Sequence, residues 1–84
     1  MVYWEVVQRS HGVYDVVQHG SVYSLSVVAH DGMPDNYARD VAEQARYVII
    51  TCTHLPLKDR FAEAQKHIQS RYDLWKLMRE SARR

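Results

Sequence analysis

One cysteine, two prolines, three scattered glycines and no long apolar run are the first features of this 84-residue chain. Each scarcity excludes something. With Cys52 alone there is no internal disulfide and no cysteine-based zinc site. No apolar stretch approaches the ~20 residues a membrane-crossing helix needs, and no signal-peptide pattern precedes the first patterned residues. A cytosolic compartment is therefore the expectation, with no membrane partner. Glycines at 12, 20 and 32 cannot form a phosphate-cradling loop. Met1 followed at once by patterned sequence suggests a complete small gene product.

Charge of one sign is also lacking. The formal net charge is +1, with eleven Lys/Arg against ten Asp/Glu, well short of the basic bias of a dedicated nucleic-acid binder. The balance is uneven along the chain. Residues 1–38 carry Arg9 against Glu5, Asp15, Asp31 and Asp35, whereas residues 39–84 hold ten Lys/Arg and six Asp/Glu. An acidic first half and a mildly basic second half follow.

What is present is ordinary for a folded chain: 46% hydrophobic and 25% charged residues, enough to exclude disorder. Eighty-four residues make one domain with a small core. Alternation over Val2–Arg9 predicts a strand with Val2, Trp4 and Val6 on one face. Gly12 and Gly20 sit in short turns before Val13–Gln18 and Val22–Ala29, so the first 29 residues read as an antiparallel meander. In the third strand Tyr23, Leu25, Val27 and Ala29 share a face. The loop His30–Pro34 separates this Val/Tyr-rich part from an Ala/Arg/Glu-rich one.

From residue 35 the period changes to 3.6. Ala38, Val41, Ala42, Ala45, Val48, Ile49 and Cys52 form an apolar stripe, with Asp35 or Asn36 as the expected cap. Residues 47–53 are strand-like in propensity, and a fourth strand is the alternative there. The unbroken helical period favours helix, ending near Thr53 or His54 because Pro56 disfavours a helical residue before it. Thr53 is the expected cap of the second helix, with Pro56 in its first turn.

That second helix, Pro56–Arg84, carries Leu57, Phe61, Ala64, Ile68, Tyr72, Trp75, Met78 and Ala82 at steps of three and four. It would be about 43 Å long, whereas a compact chain of this length has a radius of gyration near 12 Å. The helix must bend, overhang or find a partner. The expected fold is α+β, a three-stranded antiparallel meander (2–29) covered on one face by a two-helix hairpin (35–84). Its core would set Trp4, Val6, Tyr23, Leu25 and Val27 against Val41, Val48, Ile49, Phe61 and Ile68.

Trp4-Glu5-Val6-Val7, Gly12-Val13-Tyr14-Asp15-Val16-Val17, Glu43-Gln44-Ala45-Arg46-Tyr47-Val48, Pro56 and Phe61-Ala62-Glu63-Ala64 together carry a resemblance. The plan is similar to that of small bacteriophage and prophage accessory proteins. These have a Trp-containing meander, a helix of the Ala-Arg-Leu-Ile type ending at a proline, and a leucine-rich helix. Here Ile49-Ile50-Thr51 replaces the alanine run, and the proline falls about one turn late. The resemblance implies a protein of the host-cell cytoplasm that binds and disables a host machine, in the manner of anti-defence or anti-CRISPR proteins.

Three side-chain groupings invite chemistry. His11, His30 and Asp31 fall at one end of a meander and could converge on a metal or act as an acid/base pair. Histidine and aspartate beside glycine are more often simple turn residues. Cys52 and His54 pair a thiol with an imidazole, but a helix C-terminus disfavours a thiolate. No catalytic residue, metal or cofactor is therefore expected.

The tail holds the third. Arg71, Lys76, Arg79, Arg83 and Arg84 are interleaved with Tyr72 and Trp75, a pattern that suits a nucleic-acid backbone or simply an ordinary helix end. If Ile68, Tyr72 and Trp75 face the core, Leu74, Leu77 and Met78 have little left to cover them, and uncovered apolar flanks mark interfaces. The expected function is a non-enzymatic protein-binding module, with nucleic-acid binding as the alternative. Tyr72, Leu74, Trp75 and Met78 would be its anchors, and Arg71, Arg79 and Arg83 a charged rim. A homodimer through the same helix is compatible. The sheet's two free edges offer a further place for a partner's strand.

Overall fold

Valine-rich alternation, cut twice by glycine turns, gives three strands, and the 3.6-residue period beyond residue 34 gives two helices. The computed structural model describes residues 3–30 and 32–82. The order is β1 (Trp4–Ser10), β2 (Val13–Gln18), β3 (Ser24–Val28), α1 (Asp35–Thr51) and α2 (Leu57–Ala82). The strands form one open antiparallel sheet in the order β1-β2-β3, an α+β arrangement. Residues 47–51 are helical, so the unbroken period outweighs the strand propensity of Val48-Ile49-Ile50.

Register sets the rows of the sheet. Val6 pairs with Val16 and Val16 with Leu25, while Tyr14 pairs with Val27. Trp4, Tyr14, Val16, Leu25 and Val27 are buried, and they join Ala38, Val41, Ala42, Ala45 and Ile49 of α1 and Ala64 and Ile68 of α2 in one cluster. The two helices contribute unequally: α1 packs along all three strands, whereas α2 packs on α1 and β3 and reaches β1 through Phe61, whose ring meets that of Trp4 at 5.5 Å. Two members of the cluster carry little sequence signal, namely Tyr14 on the central strand and Met33 in the loop. Tyr23, expected in the core, is half-exposed. It lies one residue before β3 begins and only touches the core rim, its ring 5.8 Å from that of Phe61.

Gly12 is required where it stands. Its φ is +74°, and a Cβ there would lie 3.0 Å from the Ala29 Cβ, because β3 closes over the β1–β2 turn through the Ala29 N–H to Gly12 carbonyl bond of 2.7 Å.

The helix starts differ from expectation. Neither Asp35 nor Asn36 caps α1: Pro34, extended at φ −64° and ψ 152°, holds the cap position without a side-chain bond. Its carbonyl receives the N–H groups of Tyr37 and Ala38. Pro56 does the same for α2, accepting from Asp59 and Arg60, so it precedes the first turn and Thr53 is not the cap. Proline suits this position because its fixed φ points the chain into the helix and the missing N–H has no intrahelical partner anyway. Arg60 ties down the loop between the helices, donating to the carbonyls of Leu55 (2.8 Å) and Thr53 (3.2 Å).

Candidate protein-docking surface

Without glycine or proline, α2 runs unbroken for 26 residues, about 39 Å at 1.5 Å per residue. Its inward stripe is Leu57, Phe61, Ala64, Ile68, Tyr72 and Trp75. The partner helix α1 runs the opposite way and begins at Asp35, so it gives out near Trp75, whose ring lies 5.2 Å from that of Tyr37. The last two turns of α2 project past this point. The molecule measures 48 × 27 × 14 Å with a radius of gyration of 13.5 Å, above the ~12 Å of a compact chain of this length. Of the three outcomes open to the long helix, it overhangs.

Arg71 anchors the overhang. It donates to Asp40 Oδ2 at 2.8 Å, to the Tyr37 hydroxyl at 3.4 Å and to Gln44 Oε1. Its guanidinium stands 4.9 Å above the Tyr37 ring, and its own carbonyl accepts the Tyr37 hydroxyl at 3.0 Å. Burial pulls the Arg71 pKa down, and the bonds to Tyr37 and Asp40 more than offset that, holding it above its ordinary value. Tyr37, Asp40 and Gln44 lie three and four residues apart, one flank of α1, and His67 also reaches Gln44 at 2.8 Å. Tyr72 works on the sheet side: its hydroxyl accepts the Val28 N–H at 3.0 Å, and its ring meets the edge of His30 at 4.5 Å.

The seven expected interface residues therefore separate. Arg71, Tyr72 and Trp75 turn inward as the fastening of α2, and Arg79 is half-buried. Arg83 lies outside the described residues. Leu74 and Met78 are exposed at 47% and 43%, joined by Leu77 at 62%. Spaced three and four apart, these three make one aliphatic stripe on the outer side of the helix. Comparison with protein-family models, curated proteins and solved structures finds no match.

The other groupings are resolved differently. His11 and His30 do lie at one end of the sheet, since Ala29 bonds Gly12. Asp31 lies outside the described residues, and among those described no group of three or more His, Cys, Asp or Glu is arranged to hold a metal. Cys52 is the half-buried C-cap of α1, its N–H bonded to the Val48 carbonyl at 3.0 Å. No helix among the described residues is long and apolar enough to cross a membrane.

Sequence reasoning missed the polar cluster under the β1–β2 turn. Asp35, expected to cap its own helix, instead reaches 21 to 27 residues back. It accepts from the Tyr14 hydroxyl at 2.6 Å, the Gly12 N–H at 2.6 Å and Gln8 at 3.2 Å. The Tyr14 and Gly12 bonds, with the charges of His11 and Arg39, hold the Asp35 carboxyl below its ordinary pKa against the opposing effect of burial. The same bond, with burial and the Asp35 charge, pushes Tyr14 up.

The signs follow. A depressed carboxyl stabilises the fold above its unfolded pKa of about 3.9, and that contribution disappears as pH falls through the folded value. A raised phenol stabilises below about 10, and its contribution disappears as pH climbs through the folded value. Tyr14→Phe should thus flatten both limbs of the stability profile, measured as thermal midpoint against pH. Some acid sensitivity stays with Asp15, whose carboxyl is lowered by Arg9 and Ser26. Wild-type and variant curves that run parallel at both ends would rule this out.

Proposed function

We propose that this chain is a non-enzymatic protein-binding module, in which the helical pair covers one face of the sheet and the projecting end of α2 engages an apolar surface of a partner protein. The observation that supports the reading is the stripe Leu74, Leu77 and Met78, exposed on a helix end with no α1 beneath it. A contiguous aliphatic patch on a small domain is the ordinary mark of an interface. Asp73 and Glu80 border the stripe with Lys76 further out, a rim of mixed charge that orients a partner without selecting one sign. The resemblance to phage accessory proteins adds that the partner belongs to a host machine and that its binding is inhibitory. Nucleic-acid binding by the tail is weaker as a reading, because Arg71 is already engaged by three groups on α1.

The test is affinity capture from host extract with the wild-type chain and with Leu77→Glu. Leu77 has the most exposed side chain of the three, so the variant should keep the wild-type circular dichroism spectrum and lose the captured protein. Equal capture by both would remove the stripe from the interface. Sedimentation of the purified chain over a range of concentrations shows whether a second copy occupies the stripe first.

A further inference from the structure

A second surface, separate from the tail, lies between β3 and α2. The two elements run side by side: Phe61 meets Tyr23 at one end, and Tyr72 meets Val28 and His30 at the other. Five steps of strand cover about 17 Å, and eleven residues of helix cover the same ~17 Å. The match keeps them alongside each other, with Leu25 and Ile68 from their middles both in the buried cluster. Between the ends is a groove of about 610 Å³ lined by Leu25, Ser26, Ala62, Lys66, Ile68 and two glutamines.

The strand side of this groove is a sheet edge. In β3 the residues bonded to β2 alternate, and Tyr23 and Ala29 mark the inward set through their bonds to Gln18 and Gly12. Ser24, Ser26 and Val28 therefore direct their N–H and C=O groups away from β2. The Val28 N–H is taken by the Tyr72 hydroxyl. Ser24 and Ser26 are exposed, and their outward groups face the groove side with the spacing of a β ladder.

We propose that this groove takes an extended peptide segment of a partner protein, which adds to β3 as a fourth strand. The slot is about five residues long, between the two aromatic contacts. Alternate side chains of the peptide point down onto Leu25, Ile68 and Ala62, so the segment alternates apolar and polar residues. Lys66 is the one charged residue among those lining the groove, and its exposed ion pair with Glu63 is weakly held. An acidic residue in the peptide therefore complements the helix wall. Backbone bonds give the affinity, and the pocket gives the selectivity.

The experiment uses the full chain as bait for a displayed library of random linear peptides. Enriched peptides should share an apolar-polar alternation with an Asp or Glu. One synthesised representative should slow amide exchange at Ser24 and Ser26. Two variants test the site. Ser24→Pro deletes an outward N–H that β2 does not use, and Ala62→Arg, at an exposed helix position, fills the groove. Each should weaken the peptide by about tenfold, the loss expected for one or two interface bonds, while Leu77→Glu leaves it unchanged. No enriched family, equal binding to Ala62→Arg, or protection mapping to the tail would each overturn the proposal. Loss of peptide binding only in Leu77→Glu would assign the peptide to the tail stripe instead.

Discussion

Ile49→Ala should lower the folding free energy by about 2–5 kcal/mol, the range for emptying a fully buried aliphatic site. A chain of this length has about 4–13 kcal/mol in all, so the loss is a large share of the total. Ile49 is completely buried in α1, on the helix that packs against every strand and against α2. On the same face of α1, Ala45 lies about one turn before it and Ala42 about two turns before it, both fully buried. Alanines lie too close to the backbone to move into the vacated space, so the cavity should persist. Urea unfolding measures the effect, and an unchanged slope would place it in the native state.

Tyr47→Ala is the control. Were residues 47–53 a strand, Tyr47 would share the face of Ile49. In the helix it is 66% exposed, so its truncation should cost no more than about 0.5 kcal/mol. Similar losses at positions 47 and 49 would contradict the helical assignment.

The largest effect on binding is expected from replacing Leu74, Leu77 and Met78 together with Gln. All three are solvent-exposed, and Gln is a good helix former, so stability should stay within about 0.5 kcal/mol at each site. Central apolar anchors of an interface each contribute about 2 kcal/mol or more on truncation. Even allowing for non-additivity, the triple variant should bind its captured partner about a thousandfold more weakly. Calorimetry or surface binding against that partner measures it. The combination of unchanged stability and lost affinity separates an interface from a packing role. Arg71→Ala should show the opposite pattern, losing stability first, because its side chain fastens α2 to Tyr37, Asp40 and Gln44.

Local signals made the elements readable. The Gly12 and Gly20 turns, the Val/Tyr alternation and the steps of three and four along α2 are all short-range patterns, and they recover the meander and both helices. Long-range polar contacts left no such mark. Asp35 at a helix start reads as a cap by every local rule, yet the proline before it already holds that position. Its carboxylate is then free to satisfy a turn 23 residues away. Arg71 reads as a solvated tail cation because sequence spacing cannot register Tyr37 and Asp40, 34 and 31 residues off. Leu77 was visible as an uncovered flank, three residues beyond Leu74. The groove beside β3 was not, because it depends on the matched rise of a strand and a helix far apart in the chain.

The bare aliphatic stripe can be tested without knowing the partner. Methyl-labelled chain, dilute enough to sediment as a monomer, is titrated with a soluble paramagnetic agent, and relaxation is read at Leu74, Leu77, Met78 and Ile49. Strong enhancement at the first three with little at Ile49 is the expected result. Enhancement at Leu74, Leu77 and Met78 as weak as at Ile49 would mean that the helix end is folded back on its own domain, and the proposed docking surface would not exist.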